Sequence, residues 1–338
     1  MWKFFISFFL TVALFFSCSK SHQSLNPILD FPETVNCQWT NIDDDDEIYP
    51  KMVKIAVTDS SVFVLGQLDG KWLHEYSIET GTPIGHSLLH GQGPDDVLSG
   101  ENLKIGDSRK IVYDLGNNTI KIFDADSRLV SAIPMADHSA AWAAWWLNDS
   151  TFLTCAPYVY NDKMARGIYL NKYNPIIKSS ETIYAYEDMP EAIKDKPEVL
   201  CHQFTSIVSP DGKHFATATT LGGVLEIFDI ESDRLIPVVG EYLFKVEHDN
   251  EGWVIEEGLE FGFSTLAADN EYLYGVYSGT NDTHDFTKIG VWKWDGTPVK
   301  LIETDAVILA MCLKTDDNTL YALTDTDSYD LRLSKIKL

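Results

Sequence analysis

Positive charge is what this chain has least of. Its 338 residues carry 26 Lys and Arg against 51 Asp and Glu, a formal net charge of −25 at pH 7. Binding nucleic acid needs Lys and Arg to displace counterions from phosphate. Adsorption to an anionic bilayer surface needs the same residues. The charge argues against both and reads most simply as a soluble acidic surface. Cysteine is also sparse, with five in all, and the spacings of Cys37, Cys155, Cys201 and Cys312 match no zinc pattern. Cys155 and Cys312 sit in apolar runs (TFLTCA, VILAMCL), where a free thiol behaves as a small hydrophobe. Export would permit a bridge, and Cys155–Cys201 is the pairing to expect if one forms.

Catalytic signatures are missing too. There is no G-x-S-x-G, no H-E-x-x-H and no glycine-rich phosphate loop between a strand and a helix. The run Asp325–Asp330 begins like a calcium loop, but Asp330 stands where glycine is needed and Ile336 where the closing Glu belongs. His90, His248 and His284 fall in loops with no nucleophile tied to them. What is present suits a packed core: 45% hydrophobic and 12% aromatic residues.

Residues 1–17 read as an export signal. Lys3 gives the positive start, Phe4–Phe16 the apolar stretch, and Ser17 the small residue before Cys18. The apolar stretch is short for a membrane span. The arrangement resembles a bacterial lipoprotein signal, which implies that Cys18 is the lipid-attachment residue and that the chain is held at a membrane through that lipid. Ordinary secretion with an unmodified Cys18 is the other reading. Residues 18–30 form a polar tether without periodicity. Some surface-displayed lipoproteins of Bacteroidetes carry acids directly after the Cys. Ser19–Gln23 has none, so the resemblance implies an outer-membrane lipoprotein facing the periplasm.

The body, 31–338, is built from a repeat. Leu103–Pro134 contains four strand-like runs joined by the polar turns Asp107-Ser108, Asn117-Asn118 and Asp126-Ser127. A single four-stranded antiparallel sheet has two faces to bury and implies copies of itself. A polar turn followed by an apolar strand recurs at 59–66, 107–114, 148–155, 211–218, 269–276 and 316–323. A second element follows each, and Tyr76, Phe123, Tyr173, Phe228, Trp294 and Ile336 hold a common position in it. Their spacings fall in the propeller range with insertions. The fold expected is an all-β, six-bladed propeller with four-stranded antiparallel blades. The last copy stops one strand short, and ETVNCQW (33–39) is predicted to supply that outer strand and close the ring. Tandem sandwiches are the competing architecture.

His90-Gly91-Gln92-Gly93-Pro94-Asp95-Asp96 leads from the first copy into the second. This G-Q-G-P segment, behind a lipoprotein signal, resembles the TolB-like six-bladed propeller lipoproteins of Bacteroidetes. The resemblance implies a fold more than an activity.

In a propeller the turns between first and second strands, and between third and fourth, share one end of the ring. Here those are short, so the longer connections, 157–166, 186–201, 244–260 and 278–288, gather at the other end. Long loops on a rigid scaffold are the usual place for binding. Asp188–Val199 is patterned as a short capped helix within them. The leading expectation is a non-catalytic binding propeller taking a protein, peptide or glycan ligand. Gln92, Trp142, Tyr158, Tyr160, Trp253 and His284 are the candidate contacts. The alternative is a metal-dependent hydrolase or lactonase, with Glu101, His202 and Asp305 converging on a calcium ion at the channel mouth. Both local features also have plain readings: Trp145 and Trp146 as core wedges, and the G-Q-G-P turn as a tight crossing between blades.

Overall fold

Alternating apolar residues bounded by Asp, Asn, Ser and Gly turns form short antiparallel strands throughout. The computed structural model describes residues 31–43, 49–106, 108–135, 143–148, 151–160, 163–172, 179–185, 204–220, 223–232, 234–239, 246–249, 252–255, 260–282, 284–325 and 331–338. For 51–53, 156–160, 163–172, 179–185, 204, 237, 239, 246–249 and 252–255 it describes the backbone alone.

Two short N-terminal strands come first, β1 (Thr34–Asn36) and β2 (Thr40–Asn41). Blade one follows with β3 (Lys51–Val57), β4 (Ser61–Leu68), β5 (Lys71–Ser77) and β6 (Pro83–Leu89). Blade two has β7 (Gly100–Gly106), β8 (Arg109–Asp114), β9 (Thr119–Asp124) and β10 (Leu129–Pro134). Blade three has β11 (Ala143–Asn148), β12 (Thr151–Tyr160), β13 (Lys163–Lys172) and β14 (Ser179–Ala185). Blade four has β15 (Phe204–Val208), β16 (His214–Thr219), β17 (Leu225–Asp229) and β18 (Arg234–Val239). A separate hairpin, β19 (Val246–Asp249) and β20 (Gly252–Ile255), precedes blade five. Blade five has β21 (Phe263–Ala268), β22 (Tyr272–Tyr277), β23 (Lys288–Lys293) and β24 (Pro298–Glu303). Blade six has β25 (Val307–Lys314), β26 (Thr319–Asp325) and β27 (Leu331–Lys337). Within each blade neighbouring strands pair in sequence order.

The core is divided into wedges, one for each junction between blades. Val62 and Val64 of β4 pack toward blade six, while Phe63 and Leu65 on the alternate face pack toward blade two. Leu273 and Tyr277 of β22 face blade four; Tyr274 and Val276 face blade six. The remaining junctions, two–three and three–four, have their own clusters around Tyr113 and Phe152, and around Leu153 and Phe215. Each second strand is therefore buried on both faces, which is why it reads as a continuous apolar run. Successive inner strands touch around the whole ring, from β3 through β7, β11, β15, β21 and β25 back to β3. The six-bladed fold is as expected.

Ring closure follows the expected principle but uses different residues. The outer strand of blade six is β2, antiparallel to β27 through Thr40↔Lys335 and Asn41↔Ser334. The predicted segment 33–39 instead forms β1, which runs parallel to β24 as a fifth strand of blade five. The chain thus straps the outer edges of blades five and six together. Val35, Cys37 and Trp39 pack on the cluster between these two blades. Asp43 fastens the strap: its Oδ2 accepts the Leu333 N–H at 2.9 Å and the Tyr49 hydroxyl at 2.8 Å. Asp43 is therefore an anchor of the ring closure.

The repeated aromatic position also needs one correction. Tyr76, Phe123, Phe228 and Ile336 each face the second residue of the preceding strand, Val62, Lys110, Phe215 and Leu320. In blade five that position belongs to Trp292, opposite Leu273, and not to Trp294. Trp294 lies two residues on, in the turn, where its Nε1–H donates to Asp269 O at 2.9 Å and its ring stacks on His214. In blade three the equivalent position is Asn171, opposite Phe152, and Tyr173 lies outside the described residues.

Candidate functional site

The innermost strand of each blade has one edge that no neighbouring strand pairs. Side chains bridge some of those edges and sew the ring. Asn102 Nδ2 donates to Ala144 O at 3.1 Å, and the Lys104 ammonium donates to Trp146 O at 3.1 Å, linking β7 to β11. Trp145 Nε1–H donates to Ser206 Oγ at 2.9 Å, linking β11 to β15. Trp146 is buried and stacks on Phe152. Both tryptophans are therefore structural wedges, the plain reading of their sequence.

These strands enclose a central channel of about 260 Å³, with wall residues from all six blades. Lys54 and Lys104 are the charged residues among the described lining, and Thr205, Ser206 and Thr265 are its hydroxyl-bearing residues. Burial pulls the Lys54 ammonium below the usual lysine range, and the Glu101 carboxylate opposes this in part. Burial pushes Glu101 above the usual carboxylate range, with Lys54 opposing. Burial also lowers Lys104. The Cys312 thiol in the same wall is pushed strongly upward by burial, which disfavours the thiolate form.

The G-Q-G-P segment is a crossing held by charge. The Asp96 carboxylate accepts the Gly93 N–H at 2.9 Å. A Cβ on Gly91 or Gly93 would lie 2.3 or 2.6 Å from that carboxylate, so a side chain at either position would push Asp96 out of its bond to the Gly93 N–H. Lys121 reaches from β9 to the Asp96 carbonyl and forms a buried ion pair with Asp114 at 3.1 Å. Asp114 also accepts the N–H groups of Leu98 and Ser99 and the Asn117 amide. Gln92 lies exposed within this crossing.

The other sequence-selected residues scatter. Glu101 lies within β7, near enough to Lys54 for each to feel the other's charge. Asp305 accepts the Trp39 N–H at 2.9 Å and so serves the N-terminal strap. Among the described residues no group of three or more His, Cys, Asp or Glu is placed to hold a metal ion. His284 is exposed, its backbone N–H donating to Asp282 Oδ1 at 2.8 Å. Tyr158 and Tyr160 lie at the far end of β12, opposite Ala165 and Lys163. Trp253 lies on β20 opposite His248, which is thus a strand residue. Cys18, Trp142, His202, Cys201 and the predicted helix of 188–199 lie outside the described residues. Cys37 and Cys312 are free thiols. Lys54 was missed from the sequence; the available signal was a lone lysine inside the apolar inner strand MVKIAVT.

A family model described as "TolB-like 6-blade propeller-like" matches residues 30–316. Among solved structures, a member of the DUF4221 family from Bacteroides vulgatus ATCC 8482 is similar at a TM-score of 0.56 and 9% identity, covering 89% of this chain and 95% of that one. The β-propeller domain of Cps50 (Swd1) from Myceliophteria thermophila has a TM-score of 0.47 at 10% identity, covering 86% and 98%. No curated protein matches the sequence significantly.

Proposed function

The chain belongs to the TolB-like six-bladed propeller family, and from that premise we propose that it is a non-catalytic binding module of the bacterial envelope. It is anchored through a lipid on Cys18, faces the periplasm from the outer membrane, and holds a protein, peptide or glycan on one end of the ring.

The observation that supports this reading is the one-sided distribution of connections. At one end the links are short, as in 58–60, 209–213, 269–271 and 315–318 between first and second strands, and 78–82, 125–128 and 294–297 between third and fourth. At the other end stand the ten-residue strands of the β12–β13 arm, the loop 278–287 and the β19–β20 hairpin inserted between blades four and five. A rigid ring with elaborated connections on one end has the form of a binding scaffold.

The test replaces Phe244–Glu260 by a short linker and compares partners recovered from envelope extract. Loss of a partner with an unchanged melting temperature supports the reading, and an unchanged partner set counts against this part of the face. For the anchor, Cys18→Ala should move the protein from the membrane to the soluble fraction, and continued membrane association would refute lipid attachment there.

A further inference from the structure

We propose that the central channel is a binding site for a small organic acid, whose carboxylate is held by the Lys54 ammonium. This does not depend on the loop-face reading above, since it concerns the inner strands.

Four observations converge. The first is enclosure: all six blades contribute to a cavity of about 260 Å³. That lies near the small end of ordinary ligand pockets, about 300 Å³, and suits a small acid better than a polymer. The second is charge inversion. In a chain with 51 acidic and 26 basic residues, the charged groups among the described channel lining are two lysines.

The third is that the two lysines are not equivalent. The Lys104 ammonium is committed to Trp146 O and joins two blades. Among the described residues Lys54 has neither a hydrogen-bond acceptor nor an ion-pair partner at contact distance; Glu101 is near enough to act only through its field. A half-buried ammonium without a partner destabilises the fold that contains it. A ligand carboxylate would supply the missing acceptors through a charge-assisted bond.

The fourth is the rest of the wall. Ser206 Oγ already accepts the Trp145 N–H, which leaves its own O–H to donate. Thr205 and Thr265 are hydroxyl-bearing residues of the same wall, and Leu266 and Met311 are apolar residues beside them. A cation, a few hydroxyls and apolar walls are the complement of a small carboxylic acid.

The test is calorimetric titration of the full chain with acetate, succinate, citrate and inorganic phosphate. Wild type, Lys54→Met and a surface control, Lys213→Met, would be compared. Saturable binding of a carboxylate near one per chain, weakened at least tenfold by Lys54→Met and less than threefold by the control, supports the assignment. So does a ligand-free Lys54→Met protein that melts at or above the wild-type temperature. The proposal is overturned if no carboxylate binds, if phosphate binds in preference, or if Lys54→Met binds as wild type. A markedly lower melting point for ligand-free Lys54→Met would also overturn it, by showing the lysine to be structural.

Discussion

Replacing Asp114 by Asn should be among the most damaging isosteric changes in the protein, and the reason is electrostatic. The Asp114 carboxylate is fully buried and Lys121 is 4% exposed, with 3.1 Å between them. Asn keeps the shape and can still accept the Leu98 and Ser99 N–H groups. It removes the charge, leaving the Lys121 ammonium buried with the Asp96 carbonyl as its remaining acceptor. Breaking a buried pair from one side costs about 3–5 kcal/mol, because the surviving charge stays desolvated. Lys121→Met should cost less, since Asp114 keeps the Leu98, Ser99 and Asn117 donors. The double variant should be more stable than Asp114→Asn alone, with a coupling energy of about 2 kcal/mol or more. Urea unfolding followed by circular dichroism would give the four stabilities. Hydrogen exchange at the Leu98 and Ser99 amides would localise the effect to the crossing. A loss below about 1 kcal/mol for Asp114→Asn, or a double variant as unstable as the sum of the singles, would refute the account of the crossing as held by charge.

Three further outcomes follow from the same structure. Gly91→Ala places a Cβ 2.3 Å from the Asp96 carboxylate; it should cost about 1–3 kcal/mol in urea unfolding, and a neutral result would mean that the crossing is not packed this way. Asp43→Ala removes the acceptor of the Leu333 N–H and of one Tyr49 hydroxyl bond, so it should cost about 1–3 kcal/mol and raise exchange at the Leu333 amide; unchanged exchange there would remove Asp43 from ring closure. Glu101→Gln should alter the pH dependence of stability. The folded carboxyl has a raised pKa, so its contribution is full below the unfolded value of 4.5 and is lost as pH rises through the folded value. The variant should therefore gain stability relative to wild type as pH rises above the unfolded value of 4.5, and a difference that stays constant with pH would refute burial as the dominant influence on Glu101.

The sequence was legible where geometry forces a pattern. Val62–Leu65 and Leu273–Val276 are buried on both faces because each blade is wedged between two others, and that requirement repeats around the ring. Legibility failed where two assignments bury the same atoms. Trp292 and Trp294 lie two residues apart and both are buried, so apolar pattern cannot choose between them; the register is set by the turn that anchors Trp294 to Asp269. Closure misled for the opposite reason. The apolar residues of the strap, Val35, Cys37 and Trp39, mark packing on the junction between blades five and six. The strand that completes blade six, Thr40–Asn41, is exposed, pairs through its backbone and leaves no apolar signature.

The channel shows the same logic applied to charge. A polar residue on an inner strand has two explanations: it sews the ring, or it faces the lumen. Asn102 and Lys104 are of the first kind, because each donates to a carbonyl on the next blade. Lys54 has no such partner among the described residues, and the cost of its desolvation is offset only in part, by the field of Glu101. Stability alone would favour an apolar residue at that place. A lysine that the fold would be more stable without is therefore evidence about the channel's contents, and it makes Lys54→Met the substitution for which folding and binding should change in opposite directions.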